Sequence, residues 1–169
     1  MDALPILSVR DLRVTFKSAS GLNEVLHGIS YQLYANEILG IVGESGSGKS
    51  VASLAVMGLL PLKSGVTISG EIIFNSDNVI DYSQKQLETI RGRKIAMIFQ
   101  EPMSALNPSI CCGKQVEEIL LQHSCITKKE AKEEVIRLFS AVKIPEAKTT
   151  YKKYPHEISG GQQQRVMIA

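Results

Sequence analysis

Apolar and polar positions alternate along the first third of the chain. Leu7, Val9, Leu12, Val14 and Phe16 are spaced around the polar pair Arg10 and Asp11, the pattern of a strand with one buried face. Residues 17–23 (KSASGLN) have the composition of a turn, and a second alternating run carries Ile29, Tyr31 and Leu33. Ala35, Asn36 and Glu37 predict a tight turn, with Asn36 suited to positive φ. The pattern then changes. Ile38, Leu39, Ile41 and Val42 form a short continuous apolar run, expected as a strand buried on both faces. Residues 95–99 (IAMIF) predict a second strand of that kind, delivering Gln100 at its end. Between the two runs, Val51, Leu54, Ala55 and Leu59 share a helical face that Pro61 is expected to stop. Residues 70–74 (GEIIF) read as a further strand, and Ser83 with Gln86 is a capping box for a short helix to Ile90.

From Pro102 onward the strand signals fade. Val116, Ile119, Leu120 and His123 fall on one helical face, and Thr127 with Glu130 is a second capping box. It opens a helix with Ala131, Val135, Leu138, Phe139 and Val142 along one side, closed by Ile144 and Pro145. A last helix is expected from about Gly161. The expected class is therefore α/β, with an N-terminal antiparallel β layer feeding parallel core strands and a helical part after them.

The candidate chemistry lies between the first apolar run and the helix behind it. Residues 43–50 read GESGSGKS, which fits G-x-x-x-x-G-K-[ST], the phosphate-binding loop of nucleotide-binding proteins. Gly43, Gly46 and Gly48 permit the tight path that turns successive backbone N–H groups toward a phosphate. Lys49 is placed to reach β- and γ-phosphates, the Ser50 hydroxyl to take one position on Mg²⁺, and the following helix to offer its positive end. The strand-loop-helix setting makes the signal specific; a Gly/Ser-rich turn with a solvated lysine is the bland alternative.

Composition narrows the class. A chain of 169 residues with 44% hydrophobic residues suffices for a packed core, and a net charge of +2 gives no argument for nucleic acid. The three cysteines, Cys111, Cys112 and Cys125, form no C-x-x-C pair and read as free thiols of a reducing compartment. The N-terminus lacks the pattern of a secretion signal, and the longest apolar stretch, 51–62, is too short to cross a bilayer. The expected compartment is the cytoplasm, with any membrane role arising through a partner.

Three segments together carry a family resemblance: GESGSGKS at 43–50, Gln100 after an apolar strand, and ISGGQ at 158–162. The chain resembles the ATPase subunit of an ABC transporter, in which the second is the Q-loop and the third the signature motif. Residues 98–108 (IFQEPMSALNP) and 154–169 (YPHEISGGQQQRVMIA) are similar to the ATPases of bacterial oligopeptide, dipeptide and nickel importers. The resemblance implies a P-loop NTPase (RecA-like) core at 1–100 and a helical subdomain at 101–169, binding ATP and Mg²⁺. It assigns the phosphates to Gly43, Glu44, Ser45, Gly46, Ser47, Gly48, Lys49, Ser50 and Val51, and Mg²⁺ to Ser50 and Gln100. Lys49 and Gln100 would be the catalytic positions, Gln100 also sensing the γ-phosphate. Phe16 stands where the family places an adenine-stacking aromatic, although a core phenylalanine reads equally well. Ser159, Gly160, Gly161 and Gln162 would contact the γ-phosphate of ATP held by a second subunit in a head-to-tail homo- or heterodimer. Transmembrane permease subunits are the other implied partners, placing the protein peripherally on the cytoplasmic face of the inner membrane.

Ile158 replaces the usual leucine of the signature. The family's strand ending in Asp-Glu, its D-loop and its switch histidine have no match before Ala169, so the chain is expected to be a fragment, and whether it hydrolyses ATP stays open. Two other functions remain beside the importer: a non-hydrolysing remnant that binds nucleotide or partner only, and a soluble ABC ATPase of DNA repair or translation. Elsewhere the bland readings win. His123 is a packed or surface imidazole, His156 has no second ligand nearby, and Glu101 is a solvated or partner-facing carboxylate. Residues 91–94 (RGRK) read as a solvated turn and Lys128 and Lys129 as an exposed helix face.

Overall fold

The alternating runs at the start of the chain pair as antiparallel strands. In the computed structural model, which describes residues 4–19, 21–61, 65–99 and 105–169, the chain divides into two units, Met1–Ile95 and Ala96–Ala169. In the first unit, β1 (Leu7–Ser18), β2 (Gly21–Leu33), β3 (Val66–Phe74) and β4 (Asp77–Asn78) form an antiparallel sheet in the order β2-β1-β3-β4. Val9, Leu12, Val14 and Ile72 are essentially inaccessible on its inner face, where they join Ala52, Ala55 and Val56 of helix α1 (Lys49–Val56) in the core. Asn36 takes φ 61° in the turn after β2, as its side chain permits. Helix α2 (Gln84–Ile90) starts at the expected capping box, with Ser83 and Gln86 satisfying each other's backbone N–H.

Four expectations are corrected. Helix α1 ends at Val56, with Met57 as its C-cap, before Pro61. Gly58 takes φ 63°, its N–H donates to Ala55 O (2.9 Å), and the Leu59 N–H donates to Leu54 O (2.8 Å). That is a Schellman ending, so the left-handed glycine stops the helix and leaves Leu59 39% exposed, off the buried face. Arg91 is not solvated: its guanidinium donates to Met57 O (2.9 Å) and Gly58 O (2.6 Å), holding the carbonyls freed at that helix end. Residues 38–42 are not a strand, and Ile38 and Val42 are 97% and 93% exposed. A doubly buried strand needs neighbours on both sides, and no described strand pairs with this run. The same correction applies to residues 95–99, which make only an isolated bridge between Arg91 and Ile95 and leave Ile98 58% exposed.

The second unit is helical: α3 (Cys112–His123), α4 (Lys128–Ala141), α5 (Ala147–Thr150) and α6 (Gly160–Ile168). Its core joins Leu106, Cys112, Val135, Phe139, Tyr151, Ile158 and Val166. Helix α4 begins at the Thr127–Glu130 box and buries Ala131, Val135 and Phe139 as the spacing predicts. Helix α3 is rotated from expectation. Its buried residues are Cys112, Gly113 and Glu117, while Ile119 is 52% exposed. The cause is Tyr151, whose ring lies so close to Gly113 that any Cβ there would overlap it. The Tyr151 hydroxyl donates to the Glu117 carboxylate, which also accepts from Lys114 Nζ at 2.8 Å. Burial pushes the Glu117 carboxyl up, but the bonds from Lys114 and Tyr151 outweigh it and hold the group below its ordinary value. The three cysteines are free; burial pushes the Cys112 thiol up to about 11, keeping it protonated at neutral pH.

Candidate functional site: a phosphate loop and a second glycine-led helix

The loop at 43–50 leads from the exposed run at 38–42 into the first turn of α1. Gly48 is buried and takes φ 88°, and a Cβ there would meet Leu26 Cδ2 at 2.6 Å and Val25 O at 3.2 Å. Only glycine lets the chain cross β2 this closely and turn into the helix. Gly43, Glu44, Ser45, Gly46 and Ser47 are exposed, and Gly46, at φ 84°, has open space where a side chain would be. The Ser47 N–H donates to Glu44 O at 3.2 Å, closing one tight turn. Lys49 folds back over the loop, its Nζ donating to Gly43 O (2.7 Å), Glu44 O (2.6 Å) and Ser47 Oγ (3.3 Å). The ammonium is thereby positioned above the loop before any ligand arrives.

The helix behind it is open at its positive end. The N-cap is Gly48, so no side chain accepts from the first-turn N–H groups of α1. The Ser50 side chain is exposed and its hydroxyl makes no hydrogen bond among the described residues, leaving its oxygen available as a hard ligand. Open amide donors, a poised ammonium and a free hydroxyl fit a Mg²⁺-bound polyphosphate. Val51 follows in the same helix, half-buried against the core. Phe16 is also half-buried against that core, opposite Asn23 on β2 and Val66 on β3.

The signature residues lie in the other unit. Ser159 is the N-cap of α6, its hydroxyl accepting from the Gln162 N–H at 3.3 Å while Gln162 Oε1 accepts from the Ser159 N–H at 3.0 Å. Gly160 and Gly161 are exposed, with nothing within 4 Å of a Cβ built on either. The helix begins one residue earlier than expected. Gln100 and Glu101 lie outside the described residues. His156 stacks its ring on Tyr154, with centroids 5.6 Å apart. The floor of the phosphate loop, Val25 and Leu26, was not legible as part of the site. Leu26 is three residues before Ile29, and register shifts in β1–β2 break the alternation that would have marked it.

Comparison with known proteins follows the same residues. A family model described as ABC transporter matches residues 26–169. The chain is 43% identical to the oligopeptide transport ATP-binding protein OppD of Bacillus subtilis, over 97% of this chain and 46% of that protein. It is 47% identical to OppD of Salmonella typhimurium and 45% to the dipeptide transport ATP-binding protein DppD of B. subtilis, again over 97% of this chain. These alignments cover 48% and 49% of the two relatives, so the chain spans about half the length of the curated relatives it matches. Among solved structures, the ATP-binding cassette MJ0796, a dimer bound to ADP and Pi, superposes with a TM-score of 0.83 at 24% identity, covering 96% of this chain and 67% of that one. At that identity the likeness establishes the fold: an α/β cassette with an antiparallel β layer and a helical subdomain.

Proposed function

This chain belongs to the ABC transporter family, and from that premise we propose that it is the nucleotide-binding part of an ATPase subunit powering the import of peptides. The observation that carries the reading is the phosphate loop, where α1 starts without a side-chain cap and Lys49 is already held over the loop. Backbone N–H groups at 45–51 would take the phosphate oxygens of ATP, and Lys49 would shift from the Gly43 and Glu44 carbonyls to the β- and γ-phosphates. Ser50 and Gln100 would hold Mg²⁺. Held there, the ion would supply positive charge against the phosphates. Phe16 is the proposed adenine-stacking ring, with the rest of its surface packed on the core.

Ser159, Gly160, Gly161 and Gln162 are proposed to meet the γ-phosphate of ATP bound by a second ATPase subunit. The small residues at 160 and 161 leave the backbone of α6 open to such an approach. The solute class rests on the relatives, which are named for oligopeptide and dipeptide transport; nickel rests on the sequence resemblance alone. Permease subunits would hold the protein at the cytoplasmic face of the membrane. Among the described residues, no helix is long and apolar enough to cross one.

The test is a calorimetric titration of Mg²⁺-ATP into the protein and its Lys49→Ala variant. Loss of one charge-assisted contact is worth about 1.5–3 kcal/mol, so affinity falls at least about tenfold. Equal affinity in both proteins would remove the phosphate loop from the account. Copurification of the intact protein with a two-subunit permease tests the transport half separately.

A further inference from the structure

The helical unit carries a concave, cationic feature whose lining includes none of the signature residues 158–162. A hollow of about 650 Å³ lies between α4 and the segment around α5, lined by Lys132, Lys148, Lys152 and Lys153 with Thr149 and Glu157. That volume is in the range of small-molecule sites, about 300–1,000 Å³. Among the described residues, Lys148, Lys152 and Lys153 have no ion pair or side-chain hydrogen-bond partner, and the Lys132 Nζ lies 5.5 Å from the centroid of the Tyr151 ring. The lone carboxylate of the lining is partly committed, since Glu157 Oε2 accepts from the Tyr154 N–H at 2.7 Å. Of the three acidic residues of α4, Glu130 caps Thr127 and Glu134 pairs with Arg137, while Glu133 is exposed and does not line the hollow.

The backbone presenting these cations is fixed. Ala147, Thr150 and Tyr151 are buried and alternate with Lys148, Lys152 and Lys153, so the lysines share the outward face. Thr150 Oγ1 donates to Pro145 O at 3.1 Å, and the Lys153 carbonyl accepts from the Cys112 N–H at 2.8 Å. Like charges gathered on a rigid frame repel one another unless a counter-charge enters, and a concave wall concentrates their field. We infer that this hollow binds a phosphate-rich anion, taken by lysine ammonium groups and the Thr149 hydroxyl. Its concavity favours a soluble polyphosphate over the phosphate headgroups of a flat lipid surface. The inference does not depend on the phosphate loop.

The intact protein is compared with its Lys148→Gln/Lys152→Gln/Lys153→Gln variant, both in a Lys49→Ala background that suppresses binding at the phosphate loop. One arm titrates inorganic tripolyphosphate; the other sediments vesicles of phosphatidylglycerol in phosphatidylcholine. The expected result is tripolyphosphate binding that weakens about tenfold or more in the triple variant and declines with added salt. A loss confined to the vesicle arm would assign the same phosphate chemistry to lipid headgroups. Thermal melts verify folding, and Lys148→Gln alone replaces the triple variant if that one melts early. Absence of binding in both arms, or binding unchanged by the lysine substitutions, overturns the inference.

Discussion

Helices α1 and α6 both start in glycine-rich segments and both present the positive end of a helix, yet their first turns are satisfied in opposite ways. At α1 the N-cap is Gly48 and no side chain accepts from the helix. At α6 Ser159 and Gln162 form a closed reciprocal box. The same dipole physics therefore gives an open anion site in one place and a self-satisfied one in the other. The hydroxyl-to-amide bond of α6 is long, at 3.3 Å, so an incoming phosphate would displace a weak partner. In this account α1 binds on its own, while α6 contributes only when a second subunit brings its nucleotide.

The comparison breaks first at Gly48. Gly48→Ala forces a Cβ into Leu26 and a side chain into positive φ; the expected loss is about 2–3 kcal/mol, seen as a lowered denaturation midpoint together with lost ATP binding. Next is Ser159→Ala, which removes the box from α6 and costs about 1 kcal/mol in stability, leaving ATP affinity at α1 unchanged. Gly160→Ala sharpens the contrast. With open space at that position, the change should stabilise the helix by about 0.5–1 kcal/mol while blocking close approach of a partner's phosphate, read as weakened ATP-dependent dimerisation.

The smallest effect concerns Glu117, which closes the helical unit on itself as Ser159 closes α6. Its folded pKa is lowered, so its contribution is present above the ordinary carboxylate value and lost as pH falls through the folded one. Urea titrations between pH 6 and 3 should therefore show a stability decline that Glu117→Gln flattens.

Much of this was legible in the sequence because the signals are local. Two capping boxes were readable from pairs of residues three apart, and the phosphate loop from eight consecutive positions. Ser83–Gln86 and Thr127–Glu130 formed as expected. What failed needed partners distant in sequence. The apolar run at 38–42 carries the composition of a buried strand, but composition does not supply neighbours, and the run is exposed. Helix α3 was read from its apolar residues, while Gly113 and Glu117 face inward because Tyr151 packs there. Arg91 looked solvated beside Arg93 and Lys94, and only the fold shows it holding the end of α1.

Hydrogen–deuterium exchange of the backbone amides at 45–51, with and without saturating Mg²⁺-ATP, tests the central claim most directly. The open first turn of α1 predicts that exchange there slows on adding nucleotide, and that Lys49→Ala suppresses the slowing. Unchanged exchange across 45–51, under conditions where ATP is bound, would contradict the assignment of the phosphates to this loop.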